Sequence, residues 1–137
     1  MNITVTRNPH PGKLPPADQL GFGSVFTDHM FVMDYAEGRG WHDARIVPYG
    51  PISVSPAASV LHYGTEVFEG LKAYRTPDGG VQLFRPWENV ARLNRSCDRL
   101  GLPQIDPDDG LQAIRSLVDV DRDWVPNDPG TSLYIRP

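Results

Sequence analysis

The run Val67-Phe68-Glu69-Gly70-Leu71-Lys72-Ala73-Tyr74-Arg75, then Thr76-Pro77-Asp78-Gly79-Gly80, then Val81-Gln82-Leu83-Phe84-Arg85, decides the fold class. Its flanks are rich in β-forming residues, and the five residues between them carry the proline, aspartate and glycines of a tight reversal, so the run reads as an antiparallel hairpin. The pattern changes at Pro86. Beyond it Val90, Leu93, Cys97 and Leu100 recur at spacings of three, four and three, a helical period with its apolar face toward a core, closed by Gly101 and Pro103. A hairpin that feeds a helix directly calls for a sheet covered by helices.

Working outward, a second helix is signalled from Asp106-Pro107, with Leu111, Ile114 and Val118 on one face and an end before Pro126. Ser132 to Ile135 reads as another strand. Upstream, Phe26 to Tyr35 alternates Phe26, Asp28, Met30, Val32 and Asp34 against Thr27, His29, Phe31, Met33 and Tyr35, the period of a strand. Ala36-Glu37-Gly38-Arg39-Gly40 turns the chain, and Trp41 to Val47 returns antiparallel. A short strand is expected at Ile52 to Val54, and one or two helical turns at Pro56 to Leu61, with Ser55 as N-cap and Gly64 as terminator. Residues 1–20, with Pro9-His10-Pro11, Lys13 and Pro15-Pro16, read as an extended arm, and residues 21–137 as one small domain. The expectation is an α+β, two-layer domain with an antiparallel sheet and two main helices, without internal repeats.

Composition bounds the function. Hydrophobic residues make up 39% and charged residues 22%, a globular balance; fourteen prolines and thirteen glycines imply short elements and many rigid turns. The net charge of -4 gives no general attraction for nucleic acid or anionic lipid. No apolar run is long enough to span a bilayer and the opening residues lack a signal-peptide core, so the expected location is cytoplasmic. The lone Cys97 suits a reducing compartment and a buried apolar role, and His10, His29, His42 and His62 are too scattered for a metal site.

Three places could carry chemistry. On the helix after Pro86, Arg92, Arg95 and Arg99 share a face, where a guanidinium fork could take a phosphate or simply face solvent. In Leu61-His62-Tyr63-Gly64-Thr65-Glu66-Val67-Phe68-Glu69-Gly70-Leu71-Lys72, the glycines let backbone approach a ligand and Tyr63 could donate to a carboxylate, or Tyr63 and Phe68 are core aromatics. On the last strand Tyr134 and Arg136 are two apart and project from one face, a hydroxyl and a guanidinium for one anion, or the polar side of an edge strand.

Taken together, Gly21-Phe22-Gly23 with Phe26-Thr27-Asp28-His29-Met30, Leu61-His62-Tyr63-Gly64 with Val67-Phe68-Glu69-Gly70-Leu71-Lys72-Ala73-Tyr74, Leu83-Phe84-Arg85-Pro86 and Ser132-Leu133-Tyr134-Ile135-Arg136-Pro137 resemble the N-terminal half of branched-chain amino acid aminotransferases. Trp41 and Asp123-Trp124-Val125-Pro126 fit the same pattern, so the resemblance covers nearly everything after residue 20. It implies the small domain of a fold type IV pyridoxal-phosphate enzyme that moves amino groups between leucine, isoleucine or valine and 2-oxoglutarate, most naturally a cytoplasmic homo-oligomer. It further implies that Arg92 contacts the pyridoxal 5'-phosphate phosphate and that Tyr134 and Arg136 meet the substrate, Arg136 taking the distal carboxylate of glutamate. Phe22, Tyr63 and Phe68 would line the side-chain pocket, Tyr63 serving the neighbouring subunit's site.

The resemblance also places the Schiff-base lysine beyond Pro137. Only Lys13 and Lys72 are present, one in the arm and the other at a position that is structural in the family, so this stretch alone is expected to be inactive. Two other readings use the same residues. One is a different fold type IV enzyme, a D-amino acid aminotransferase or aminodeoxychorismate lyase; the other is a non-catalytic binding or dimerisation module.

Overall fold

In the computed structural model, which describes residues 1–137, the β-forming segments build two three-stranded sheets rather than one. The first contains β1 (Thr4–Val5), β2 (His29–Ala36) and β3 (Gly40–Pro48), in the order β1-β3-β2. β2 and β3 form the expected antiparallel hairpin, while β1 joins β3 in parallel, pairing Thr4 with Arg45 and Val5 with Ile46. The arm therefore contributes a strand of its own. The second sheet contains β4 (Leu71–Arg75), β5 (Val81–Leu83) and β6 (Leu133–Ile135), with β4 central and both neighbours antiparallel to it.

Helices α1 (Ser59–Tyr63), α2 (Pro86–Leu100) and α3 (Pro107–Val120) complete the α+β fold. Proline opens both long helices, where a missing N–H costs nothing. The Asp106 carboxylate caps α3, accepting from the amides of Asp108 at 2.9 Å and Asp109 at 3.2 Å. One face of the second sheet lies against α2 and α3, and there Leu71, Ala73, Val90, Ile114, Val118, Val125 and Ile135 form the core. Burying a side chain such as Val90 contributes about 1.5–3 kcal/mol. No helix is long and apolar enough to cross a membrane.

Several boundaries differ from expectation, each for a local reason. The strand expected from Phe26 begins at His29, because Phe26 stacks on Tyr49 with ring centroids 4.9 Å apart and the Asp28 carboxylate is taken by other partners. The ladder is irregular between Val32 and Asp34, and Asp43 sits at φ 54°, so strict alternation along β2 breaks there. Ile52 to Val54 is no strand: Pro51 and Pro56 bracket it, and its side chains are exposed with no partner ladder. Ser55 caps a turn, accepting from the Ala57 amide at 3.2 Å, and the helix starts later, at Ser59. Gly64 closes it, as expected. The β4 and β5 strands are shorter than the hairpin flanks, and Leu100, placed on the core face by its spacing, is exposed at the last turn of α2.

Candidate functional site

Strand alternation organises the site. On β4 and its upstream extension Glu69, Leu71 and Ala73 are all buried, at 4%, 6% and 0% exposure, and turn toward the helices. Register pairs Leu71 with Ile135 and Lys72 with Tyr134, so Tyr134 and Arg136 project from the opposite face of the sheet. The Glu69 amide donates to the Pro137 carbonyl at 2.9 Å, carrying the pairing beyond the strand ends.

On that outer face four of the expected residues meet. Arg136 Nε donates to the Tyr134 hydroxyl oxygen at 3.1 Å, and the guanidinium lies 4.7 Å from the centre of the Phe68 ring. Phe22, carried on a turn of the arm-to-β2 connection, packs edge-on against Tyr134 with centroids 4.9 Å apart. Because the tyrosine oxygen accepts from Arg136, its own O–H stays available, and the pair presents a hydroxyl and a free guanidinium edge to one anion. Gly70 makes room for this: a Cβ there would collide with the Tyr134 hydroxyl oxygen. Phe22, Tyr134 and Arg136 also line a largely apolar cleft of about 1110 Å³ that runs between the first sheet and the helices; Phe68 and Tyr63 do not. Tyr63 stands apart, 86% exposed at the end of α1, with His62 as its one aromatic neighbour.

On the inner face α2 brings Arg92 to Glu69. Arg92 Nε donates to Glu69 Oε2 at 2.6 Å and Nη2 donates to Oε1, while Asn89 Nδ2 at 3.2 Å and the Gly70 amide at 2.7 Å also donate to Oε1. Arg92 holds the Glu69 carboxyl down to about 2, against the upward pull of burial, with help from Gly70 and Asn89. The same pairing raises the Arg92 guanidinium above its ordinary value. The arginine side chain is nevertheless 60% exposed, because only its inner edge is engaged. Arg95 and Arg99 are exposed on the same helix.

Sequence reading singled out Arg92 but passed over Glu69, Asn89 and the role of Gly70. The signal for Glu69 was its parity with Leu71 and Ala73, which places a carboxylate on the buried side of a strand. The histidines are dispersed, yet ligand-capable atoms of Asp34, His42 and Asp43 do lie within 4.8 Å of one another beside the β2–β3 hairpin. All three already have partners: Arg45 Nη1 donates to Asp34 Oδ2 at 2.7 Å, Arg39 Nη2 lies 3.5 Å from Asp43 Oδ1, and the His42 ring is 2.8 Å from Asp43.

Comparison with known proteins adds a second, independent line. No family model matches the chain. Branched-chain-amino-acid transaminase 1 of Bacillus subtilis (strain 168) is 59% identical over 123 residues, which is 90% of this chain and 35% of the relative. Branched-chain-amino-acid aminotransferase 2 of the same organism is 57% identical over all 137 residues, or 37% of the relative. The chain belongs to the branched-chain aminotransferase family. It spans about a third of the length of the curated relatives it matches. Solved members of the family share its fold. The T.th. branched-chain amino acid aminotransferase complexed with N-(5'-phosphopyridoxyl)-L-glutamate superposes with a TM-score of 0.55 at 34% identity, over 66% of this chain and 29% of that one. The Escherichia coli branched-chain amino acid aminotransferase gives 0.54 at 30% identity, over 66% and 28%.

Proposed function

We propose that this chain forms the small domain of a pyridoxal-phosphate-dependent transaminase that exchanges amino groups between leucine, isoleucine or valine and 2-oxoglutarate. The observation that carries the reading is the Tyr134–Arg136 pair, flanked by Phe22 and Phe68 on the wall of an apolar cleft. Apolar walls suit aliphatic side chains, and the guanidinium suits the additional carboxylate of glutamate. The names of the relatives support this, as does the phosphopyridoxyl-glutamate in the T.th. enzyme's structure.

The residues present fit one end of the cofactor. Arg92 is fixed along its inner edge and open along its outer one, the arrangement a phosphate needs from a fork of donors. When bound, pyridoxal phosphate supplies the electron sink for amino-group exchange. The chain's own contribution is binding and orientation: Arg92 holds the phosphate, Tyr134 and Arg136 orient the substrate, and Phe22 and Phe68 flank those two groups. Tyr63, remote from this cluster and exposed beside Leu61, completes the corresponding pocket of a neighbouring copy in a homo-oligomer.

Replacement of Arg136 by methionine in the full-length enzyme tests the reading. The specificity constant for glutamate should fall about ten- to a hundredfold, as expected for loss of a charge-assisted hydrogen bond, and that for leucine much less. An equal loss for both would reassign Arg136 to the α-carboxylate or to structure. Retained turnover of D-amino acids in place of leucine would overturn the substrate class.

A further inference from the structure

Glu69 is the only carboxylate that Arg92 touches, and it is buried with four donors converging on its two oxygens: Arg92 Nε, Arg92 Nη2, Asn89 Nδ2 and the Gly70 amide. An ionised carboxylate so placed is costly unless every lone pair is answered, and here the answer comes from one helix and its own strand. Asn89 also donates to the Gly70 carbonyl at 3.1 Å, locking strand and helix together at this point. The network reaches solvent through the guanidinium, whose remaining N–H groups point away from Glu69. A long side chain on a helix surface would otherwise sample many rotamers. Resting on the phosphate role of Arg92 proposed above, we infer that Glu69 is a positioning residue: its clamped carboxylate fixes the plane of the Arg92 guanidinium and so presents the outer edge of the fork to the cofactor phosphate.

Two effects oppose each other, and they differ in sign. A carboxylate behind the arginine repels a phosphate dianion, so its removal would tighten binding if charge alone mattered. Orientation acts the other way, because an arginine fixed before binding loses less freedom on meeting the phosphate. The guanidinium stands between the two anions and shields them from each other, so orientation dominates.

The test is equilibrium binding of pyridoxal 5'-phosphate and of pyridoxal, which lacks the phosphate, to the full-length enzyme and to Glu69→Gln, Arg92→Ala and the double variant. Glu69→Gln should weaken pyridoxal phosphate about tenfold and leave pyridoxal unchanged, and it should cost nothing further once Arg92 is alanine. Unchanged or tighter pyridoxal phosphate binding, an equal loss for pyridoxal, or a loss additive with Arg92→Ala overturns the positioning role while leaving Arg92 as the phosphate contact. If Arg92→Ala itself keeps full affinity, the phosphate reading falls and this inference with it. Should Glu69→Gln not fold, Asn89→Ala takes its place in the same cycle, with about a threefold loss that requires Arg92; no loss overturns the proposal.

Discussion

At the scale of single residues, Glu69 ties stability to acidity. Its carboxyl ionises near 4.5 when unpaired and is held down to about 2 in the fold, chiefly by Arg92. A depressed folded value means that the stabilisation is complete above the unfolded value and drains away as pH falls from about 4.5 toward 2. Urea midpoints measured across that window should fall more steeply for the native protein than for Glu69→Gln, whose side chain does not titrate; parallel curves would show that the pair contributes nothing to acid stability. The Arg136→Met comparison of glutamate with leucine belongs at this scale too, since the distal carboxylate is the one group that distinguishes those substrates there. The Tyr134–Arg136 pair was legible in the sequence because the two are two apart on a strand, a relation that spacing alone fixes, whereas only the family resemblance pointed to Phe22 and Phe68. The partner of Arg92 was not, because a contact across 23 residues depends on how α2 crosses the sheet.

Elements were legible where a pattern was long and local. The α2 and α3 helices lie where Pro86, Gly101 and Asp106-Pro107 put them, and both hairpins turn at the expected glycine-rich segments. What periodicity missed was tertiary in origin: the division into two sheets, the parallel pairing of β1 with β3, and the loss of Ile52 to Val54 as a strand for want of a neighbour. The contact between α2 and α3 gives a prediction at this scale. A Cβ at Gly110 would stand 2.9 Å from Val90 Cγ1, in the middle of the core and with little space to retreat. Gly110→Ala gains helix propensity yet must push the helices apart, so a net destabilisation of about 1–3 kcal/mol is expected. Pairing it with Val90→Ala should recover part of that loss in thermal unfolding; an increase in stability for Gly110→Ala alone would mean that the helices accommodate the methyl freely.

At the scale of the whole molecule, the placement of the lysines bears on what this chain does by itself. Its lysines are Lys13 in the arm and Lys72 on the exposed side of β4, opposite Tyr134. The 137-residue chain should therefore neither turn over leucine with 2-oxoglutarate nor yield a stoichiometric pyridoxyl adduct at Lys72 after borohydride reduction, and peptide mapping of such an adduct would refute this. The arm is stitched into the fold at several points. The Asp28 carboxylate accepts from the Gly12 amide at 2.8 Å and from Trp124 Nε1 at 2.9 Å. Burial pushes this carboxyl up, but those two bonds, with one from Asn8, outweigh it and bring the group below the usual carboxylate range. Next to it, the Asn8 amide donates to His29 Nε2 at 2.8 Å, while His29 Nδ1 lies 2.6 Å from a buried oxygen of Asp121. A backbone amide can only donate, so Nε2 must be bare and the proton must sit on Nδ1. The ring is thereby a built-in spectroscopic label that touches the arm, the first sheet and the end of α3 at once. In nitrogen-15 spectra it should show one pyridine-like and one pyrrole-like nitrogen, with a downfield Nδ1 proton slow to exchange. Asp121→Asn should shift that proton upfield, and truncating the arm should move the bare nitrogen instead, so two resonances of a single side chain report separately on the two sides of the domain.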